Sequence, residues 1–134
     1  MALPDDVAEL LAGTNYAHVA TVLPDGAPHS VAVWIDLHEG RPFFFTQEAS
    51  RKARNLAADP RVAISIVDRR NPYRSAWLRG EVAETRTGEA ALELIDQMAR
   101  KYTGEPFPMR SGVVYVIEPT ASRHFQLPFE APPP

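Results

Sequence analysis

The segment FFFTQEASRKARNLAADPRVAISI, residues 43–66, changes backbone period twice. Pro42 to Thr46 reads as a strand. Arg61 to Val67 reads as another, with Val62, Ile64 and Ile66 on one face. Between them lies a helix: Ser50 suits its N-cap, Pro60 sets its end, and Ala53, Leu56 and Ala57 form a narrow apolar stripe. That helix opens on Arg51, Lys52 and Arg54. A helix N-terminus already carries partial positive charge and unpaired N–H groups, so acids are its usual company. On charge alone two readings stand. The cations form a solvated face, or they and the hydroxyls of Thr46 and Ser50 surround an anion, to which a phosphate is well suited.

The same alternation extends outward. Upstream, LPDDVAELLAG reads as a short helix with Asp5 and Asp6 in its first turn and Gly13 at its end. Tyr16–Leu23 reads as a strand, Pro24–Gly26 as a turn, and Pro28–Leu37 as a returning strand. With Pro42–Thr46 these make two successive hairpins, an antiparallel meander. Downstream, DRRNPYR (68–74) reads as a loop. Ser75–Thr85 is a long strand in which Gly80 marks a bulge or bend. Thr87–Thr103 has helical spacing at Ala91, Leu94, Ile95, Met98 and Tyr102, and Gly104 ends it. Val113–Thr120 is a strand apolar on both faces, hence central or interfacial. SRHFQL reads as one more short strand, and residues 128–134 as a flexible Pro-rich tail. Strands joined by short turns outnumber helices, which predicts an antiparallel sheet curled into a small barrel with helices outside, in a single domain over residues 1–134.

Composition narrows the function. The 134 residues are 45% hydrophobic and 23% charged, with a net charge of -3 and no cysteine. No global field draws nucleic acid or acidic lipid, so any anion site is local. Thiolate catalysis and cysteine–zinc sites are excluded. The four histidines show no metal-ligand spacing, so no metal is expected. Phosphate-binding loops, dinucleotide fingerprints and nucleophile elbows are missing too. The N-terminus is not a signal peptide and no stretch is long and apolar enough to span a bilayer. The expectation is a cytoplasmic protein acting on a small molecule.

With these residues in view, the chain resembles the pyridoxamine-phosphate oxidase superfamily. The likeness rests on Phe44-Phe45-Thr46, Ser50-Arg51-Lys52, Leu56 and Asp59-Pro60. It continues through ATVLPDGAPHSVAVW, NPYR, LRGEV and RKYTGEPFP. The motifs KARNLAADPRVA and NPYR resemble the actinobacterial branch that uses coenzyme F-420, an 8-hydroxy-5-deazaflavin. The resemblance implies a mainly β, antiparallel split β-barrel of the FMN-binding type. It also implies a homodimer with the cofactor between subunits, and hydride transfer to an unsaturated or conjugated substrate. Carried over residue by residue, the cofactor-binding candidates are Val31, Ala32, Val33, Trp34, Thr46, Ser50, Arg51, Lys52, Asn55, Asn71, Tyr73 and Arg74. Trp34 reads equally as a core or interface aromatic. Arg69 and Arg70 read as solvated loop residues, whereas Arg74 beside Tyr73 is better placed for an anionic cofactor. Phe45 replaces the family's usual Tyr, and Trp34 stands where pyridoxamine-phosphate oxidases place a Lys, which disfavours their substrate. No catalytic residue is named, in keeping with chemistry carried by a cofactor. The alternatives are FMN as cofactor, or a non-catalytic flavin or deazaflavin carrier. The aromatics Phe43 to Phe45, Trp34 and Trp77 exceed what one inward face can bury, which points to a second surface, expected in a twofold partner.

Overall fold

Antiparallel strands outweigh helices in the computed structural model, which describes residues 1–133. The elements are α1 (Asp5–Ala12), β1 (Ala17–Val22), β2 (Pro28–Val33), β3 (Asp36–His38), β4 (Arg41–Thr46), α2 (Arg51–Ala58), β5 (Arg61–Asp68), β6 (Asn71–Arg86), α3 (Gly88–Thr103) and β7 (Val113–Gln126). The strands form one sheet in the order β2-β1-β5-β6-β7-β4-β3. The expected class, a mainly β antiparallel split barrel, is the one observed.

The ladder corrects the expected meander. The run Pro28–Leu37 is not one strand: β2 pairs with β1, and β3 pairs with β4 at the opposite edge of the sheet. Only Trp34 and Ile35 join them, a link of at most about 11 Å between Val33 and Asp36. A flat seven-stranded sheet would hold its edges far further apart, so the sheet must curl until they meet. Ile35 is fully buried. Its N–H donates to the Tyr102 hydroxyl at 3.2 Å, and its carbonyl accepts from Lys101 Nζ. Both backbone groups are therefore taken by side chains of α3 rather than by a ladder, which is why the strand breaks there.

Alternation sorts the apolar residues into two clusters. Val19, Phe44, Ile64, Leu78 and Ile117 fill the barrel, and Val7, Leu10 and Leu11 of α1 join them. Phe43, Val114 and Val116 point outward, beneath Ile95 and Met98 of α3. This corrects the expectation for the Phe43–Phe45 run: its second surface is α3 of the same chain. It also explains why β7 is apolar on both faces. Met98 is core, as its spacing suggests.

Two further boundaries differ. DRRNPYR is not a loop but a tight turn at Arg69–Arg70, with Asp68 opposite Asn71 and a bulge that sets Pro72–Arg74 out of the β5 ladder. The strands expected at Val113–Thr120 and Ser122–Leu127 are one, because a bulge absorbs Thr120 where Arg79 faces Ala121 and Gly80 faces Pro119. The tail is anchored at its start, since the Phe129 ring packs on Tyr73 at 5.2 Å. The remaining expectation of flexibility falls partly on residue 134, outside the described residues.

Gly80 lies at a bulge, as its place in the strand suggested, although the extra residue is Thr120 on the facing strand β7. A Cβ there would sit 2.2 Å from the Glu118 carbonyl oxygen and 2.9 Å from Ile117 Cγ2. The close partner is backbone and cannot swing aside. Gly80→Ala is expected to cost about 1–3 kcal/mol, read as a lower urea midpoint at unchanged m-value. An unaltered midpoint would mean that the β6–β7 bulge adjusts freely.

Candidate functional site

The start of α2 is built by hydroxyls. Ser50 has extended backbone, and its Oγ accepts from Ala53 N–H at 3.1 Å. The same Oγ accepts from Thr46 Oγ1 at 2.9 Å. With both lone pairs engaged, the Ser50 proton remains free to donate outward. The first turn contains no acid.

The cations there are not equivalent. Arg51 Nε donates to Asn55 Oδ1 at 2.9 Å, and Asn55 Nδ2 donates to Thr21 Oγ1 at 3.0 Å. Asn55 is buried, taking the inward position expected of Ala57, and each end of its amide makes one hydrogen bond. It positions Arg51. Lys52 has no hydrogen-bonded or carboxylate partner among the described residues. Its ammonium lies 5.9 Å from the centre of the Phe44 ring, and burial pushes its pKa below the usual 10.5.

Lys52 opens onto a cleft of about 370 Å³, lined also by Tyr16, Ala32, Val33, Trp34, Phe45 and Phe107. The cleft lies at the split of the barrel, where the edge strand β2 and the outward face of β4 come together. Trp34 stacks flat on Tyr102 at 5.1 Å and 5°, and Tyr102 stacks on Tyr16 at 5.7 Å. The Tyr102 hydroxyl donates to the Asn15 carbonyl, and burial pushes its pKa up to about 12. Lys101, beside it, donates to the carbonyls of Leu11 and Gly13 at 3.1 and 3.0 Å and pairs with Asp36 at 3.5 Å.

Of the candidates, the structure brings together Ala32, Val33, Trp34 and Lys52 in the cleft, with Thr46, Ser50 and Arg51 at the adjoining helix start. Val31 is half-buried on β2 but does not line the cleft. Asn71, Tyr73 and Arg74 lie elsewhere. Asn71 caps its own turn by accepting from Tyr73 N–H at 3.1 Å. Arg74 donates to His124 Nε2 at 3.2 Å and pairs with Asp68 at 3.5 Å and Glu9 at 3.6 Å. Sequence reasoning missed Tyr16, Tyr102 and Phe107 as neighbours of this cleft. The segment RKYTGEPFP held the signal for the last two, since an aromatic beyond a helix-ending Gly must find a surface to cover.

Comparison with known proteins agrees with this architecture. Residues 3–125 match the family description pyridoxamine 5'-phosphate oxidase. A solved F420 reductase superposes with a TM-score of 0.79 at 32% identity, over 90% of this chain and 98% of that one. A conserved hypothetical protein of Mycobacterium tuberculosis superposes at 0.75 with 23% identity, over 100% of this chain and 94% of that one. The pyridoxine/pyridoxamine 5'-phosphate oxidase of Bacteroides fragilis is 42% identical over 50 residues, 37% of this chain and 21% of that protein. The aligned part thus spans about a fifth of that curated relative.

Burial of the Tyr102 phenol has a measurable sign. Its folded pKa is raised from 10.0 to about 12, so its contribution to stability is whole below pH 10 and is lost as pH rises toward 12. Stability measured by urea melts should fall more steeply above pH 10 in the native chain than in Tyr102→Phe. Parallel curves would show that this phenol is no better shielded than an exposed one.

Proposed function

The chain belongs to the pyridoxamine 5'-phosphate oxidase family, and from that premise we propose an oxidoreductase that binds coenzyme F-420 and reduces an unsaturated or conjugated organic substrate. The observation that carries this reading is Lys52, a half-buried ammonium without an acidic partner among the described residues, between a helix N-terminus and an aromatic cleft. An uncompensated buried cation is unfavourable in the free protein, and a bound phosphate removes that cost. Ser50 would donate its hydroxyl proton, the first turn of α2 its free N–H groups, and Arg51 and Lys52 their charge. Ala32, Val33 and Trp34 would hold the ring along the edge of β2 and exclude water. When bound, the reduced coenzyme supplies the hydride, and water the balancing proton. F-420 is longer and more anionic than FMN, and the solved F420 reductase is similar over nearly its whole length.

FMN in an oxidase or reductase is the second reading, favoured by the names of the curated relatives. A carrier without turnover is the third reading. The proposal includes a single cytoplasmic domain of the actinobacterial branch that acts as a homodimer. The outer sheet face supports a twofold partner: a groove of about 440 Å³ runs past His18, Ser30, Ser65 and Trp77, and Val67 is exposed nearby. Asn71, Tyr73 and Arg74, off the cleft within one chain, would join it only across such a dimer. Light scattering at low micromolar concentration tests this, and a monomer that binds cofactor tightly would overturn it.

Parallel titrations with F-420 and FMN, followed by visible absorbance, decide the cofactor. Lys52→Ala is expected to weaken binding by about ten- to hundred-fold, the value of a charge-assisted bond of about 1.5–3 kcal/mol, without loss of stability in the free chain. Arg51→Ala should weaken binding similarly but also cost some stability, because Asn55 loses its donor. Unchanged affinity in both would return these cations to a solvated face.

The Lys52 ammonium adds a pH signature. Its pKa in the free chain lies below 10.5, and a bound anion favours the charged form. Affinity should therefore be flat near neutrality and decline at an alkaline pH below 10.5, with the decline absent in Lys52→Ala. Equal pH profiles would remove Lys52 from the anion site.

A further inference from the structure

The segment RKYTGEPFP does more than end α3. Phe107 is the one residue of the stretch between α3 and β7 that lines the Lys52 cleft. Its ring stands edge-on to Phe45 at 5.0 Å and 73°, and to Trp34 at 6.2 Å and 81°. Pro106 and Pro108 flank it and restrict the backbone on either side. Both of its own backbone polar groups are held. Its N–H donates to Asp96 Oδ1 at 3.1 Å, and its carbonyl accepts from Arg110 Nη1 at 2.8 Å. Arg110 in turn forks onto Asp96, Nη1 to Oδ1 at 2.9 Å and Nη2 to Oδ2 at 3.0 Å. Asp96, Phe107 and Arg110 thus form a closed ring of hydrogen bonds. This ring fixes the Phe107 backbone, and with it the point from which the side chain enters the cleft.

A loop of this length needs no such clip merely to connect a helix to a strand. The clip holds one aromatic ring at a set distance from two others. We propose that Phe107 is a specificity-determining wall of the cleft, that Asp96 and Arg110 are its positioning residues, and that the wall admits a flat conjugated electron acceptor while rejecting one thickened by branched substituents. The inference rests on the proposed function, whose cleft it deepens. Flat π-systems fit between edge-on rings with favourable quadrupole contacts. A quaternary carbon beside the reacting ring would have to displace the Phe107 side chain from its contacts with Phe45 and Trp34, or shift the clipped backbone that carries it.

Quinones supply a matched test, because each takes up a hydride and a proton to become a hydroquinone while the coenzyme is oxidised. The intact chain is first titrated with F-420 by quenching of tryptophan fluorescence, then assayed in the reduced, loaded form with menadione and with 2,6-di-tert-butyl-1,4-benzoquinone. Intrinsic reactivity cancels when the ratio of kcat/KM for the two is compared between variants. The native chain should favour menadione. Phe107→Ala should cut that preference about tenfold, mainly by lowering KM for the branched quinone. Phe107→Tyr should retain it. Asp96→Asn and Arg110→Ala should shift it the same way by a smaller factor, with F-420 affinity within about twofold of native. A preference unchanged in Phe107→Ala, or changes in Asp96→Asn confined to kcat and equal for both quinones, would overturn the wall. If the titration shows uptake of FMN alone, the F-420 reading has failed and the same comparison is run on the FMN-loaded chain. If neither cofactor binds, the wall falls with the site.

Discussion

Two residues, Trp34 and Ile35, join strands at opposite edges of a seven-stranded sheet, and most of the architecture follows from that short tether. The edges must meet, so the sheet closes. They meet without pairing, so the barrel keeps a seam. A seam between edge strands leaves Ile35 without ladder partners, and each unpaired buried peptide group would cost about 1–3 kcal/mol. Lys101 and Tyr102 at the end of α3 provide the missing donor and acceptor. Lys101 also gathers the carbonyls of Leu11 and Gly13, tying the end of α1 to the same point. Three elements distant in sequence therefore converge on one peptide group.

The seam also holds the candidate site. Ala32, Val33 and Trp34 leave β2 there, Phe45 reaches it from β4, and α2 delivers Lys52 from above. The question raised by a helix that opens on cations receives a graded answer. Arg51 is held by an internal acceptor, Asn55, and Arg54 is exposed, whereas Lys52 is half-buried with nothing opposite it among the described residues. Surface cations at a helix start would lose a few tenths of a kcal/mol and be screened by salt. A desolvated one has no such relief, which makes Lys52 the informative member of the three.

Much of this was legible in the residues themselves. Alternation marked Val62, Ile64 and Ile66 as inward, Ser50 read as the N-cap, Gly80 read as a bulge, and Met98 as core. The break at Trp34–Ile35 was not legible, because VAVWI is an unbroken apolar run with no Gly or Pro, and the groups that stop the strand lie more than sixty residues away. Pro119 lies inside the strand read at Val113–Thr120; what was not legible is that a bulge lets β7 run on from there to Gln126. The Phe43–Phe45 run correctly called for two surfaces, but only the tertiary structure could assign the second to α3. At the site, Lys52 and Ser50 were visible as a local motif. Asn55 was visible as a polar residue but not as an inward one, since its partner Thr21 belongs to another strand.

One segment links stability to selectivity. Lys101 and Tyr102 close the barrel, Tyr102 backs Trp34, and Phe107, five residues on, forms the facing wall. The Trp34 side of the cleft is thus set by the same α3 terminus that holds the seam shut. A change there cannot alter the cleft alone: loosening Lys101 or Tyr102 releases Ile35, and with it the strand ends that carry Ala32 to Trp34. The Asp96–Arg110 clip is different, because it sits on the outer side of the loop and touches neither Ile35 nor β2. Variation in cleft width is therefore cheapest at the clip and at Phe107, and most costly at Lys101 and Tyr102. The fold separates a fixed wall from an adjustable one within a single stretch of nine residues, Arg100 to Pro108.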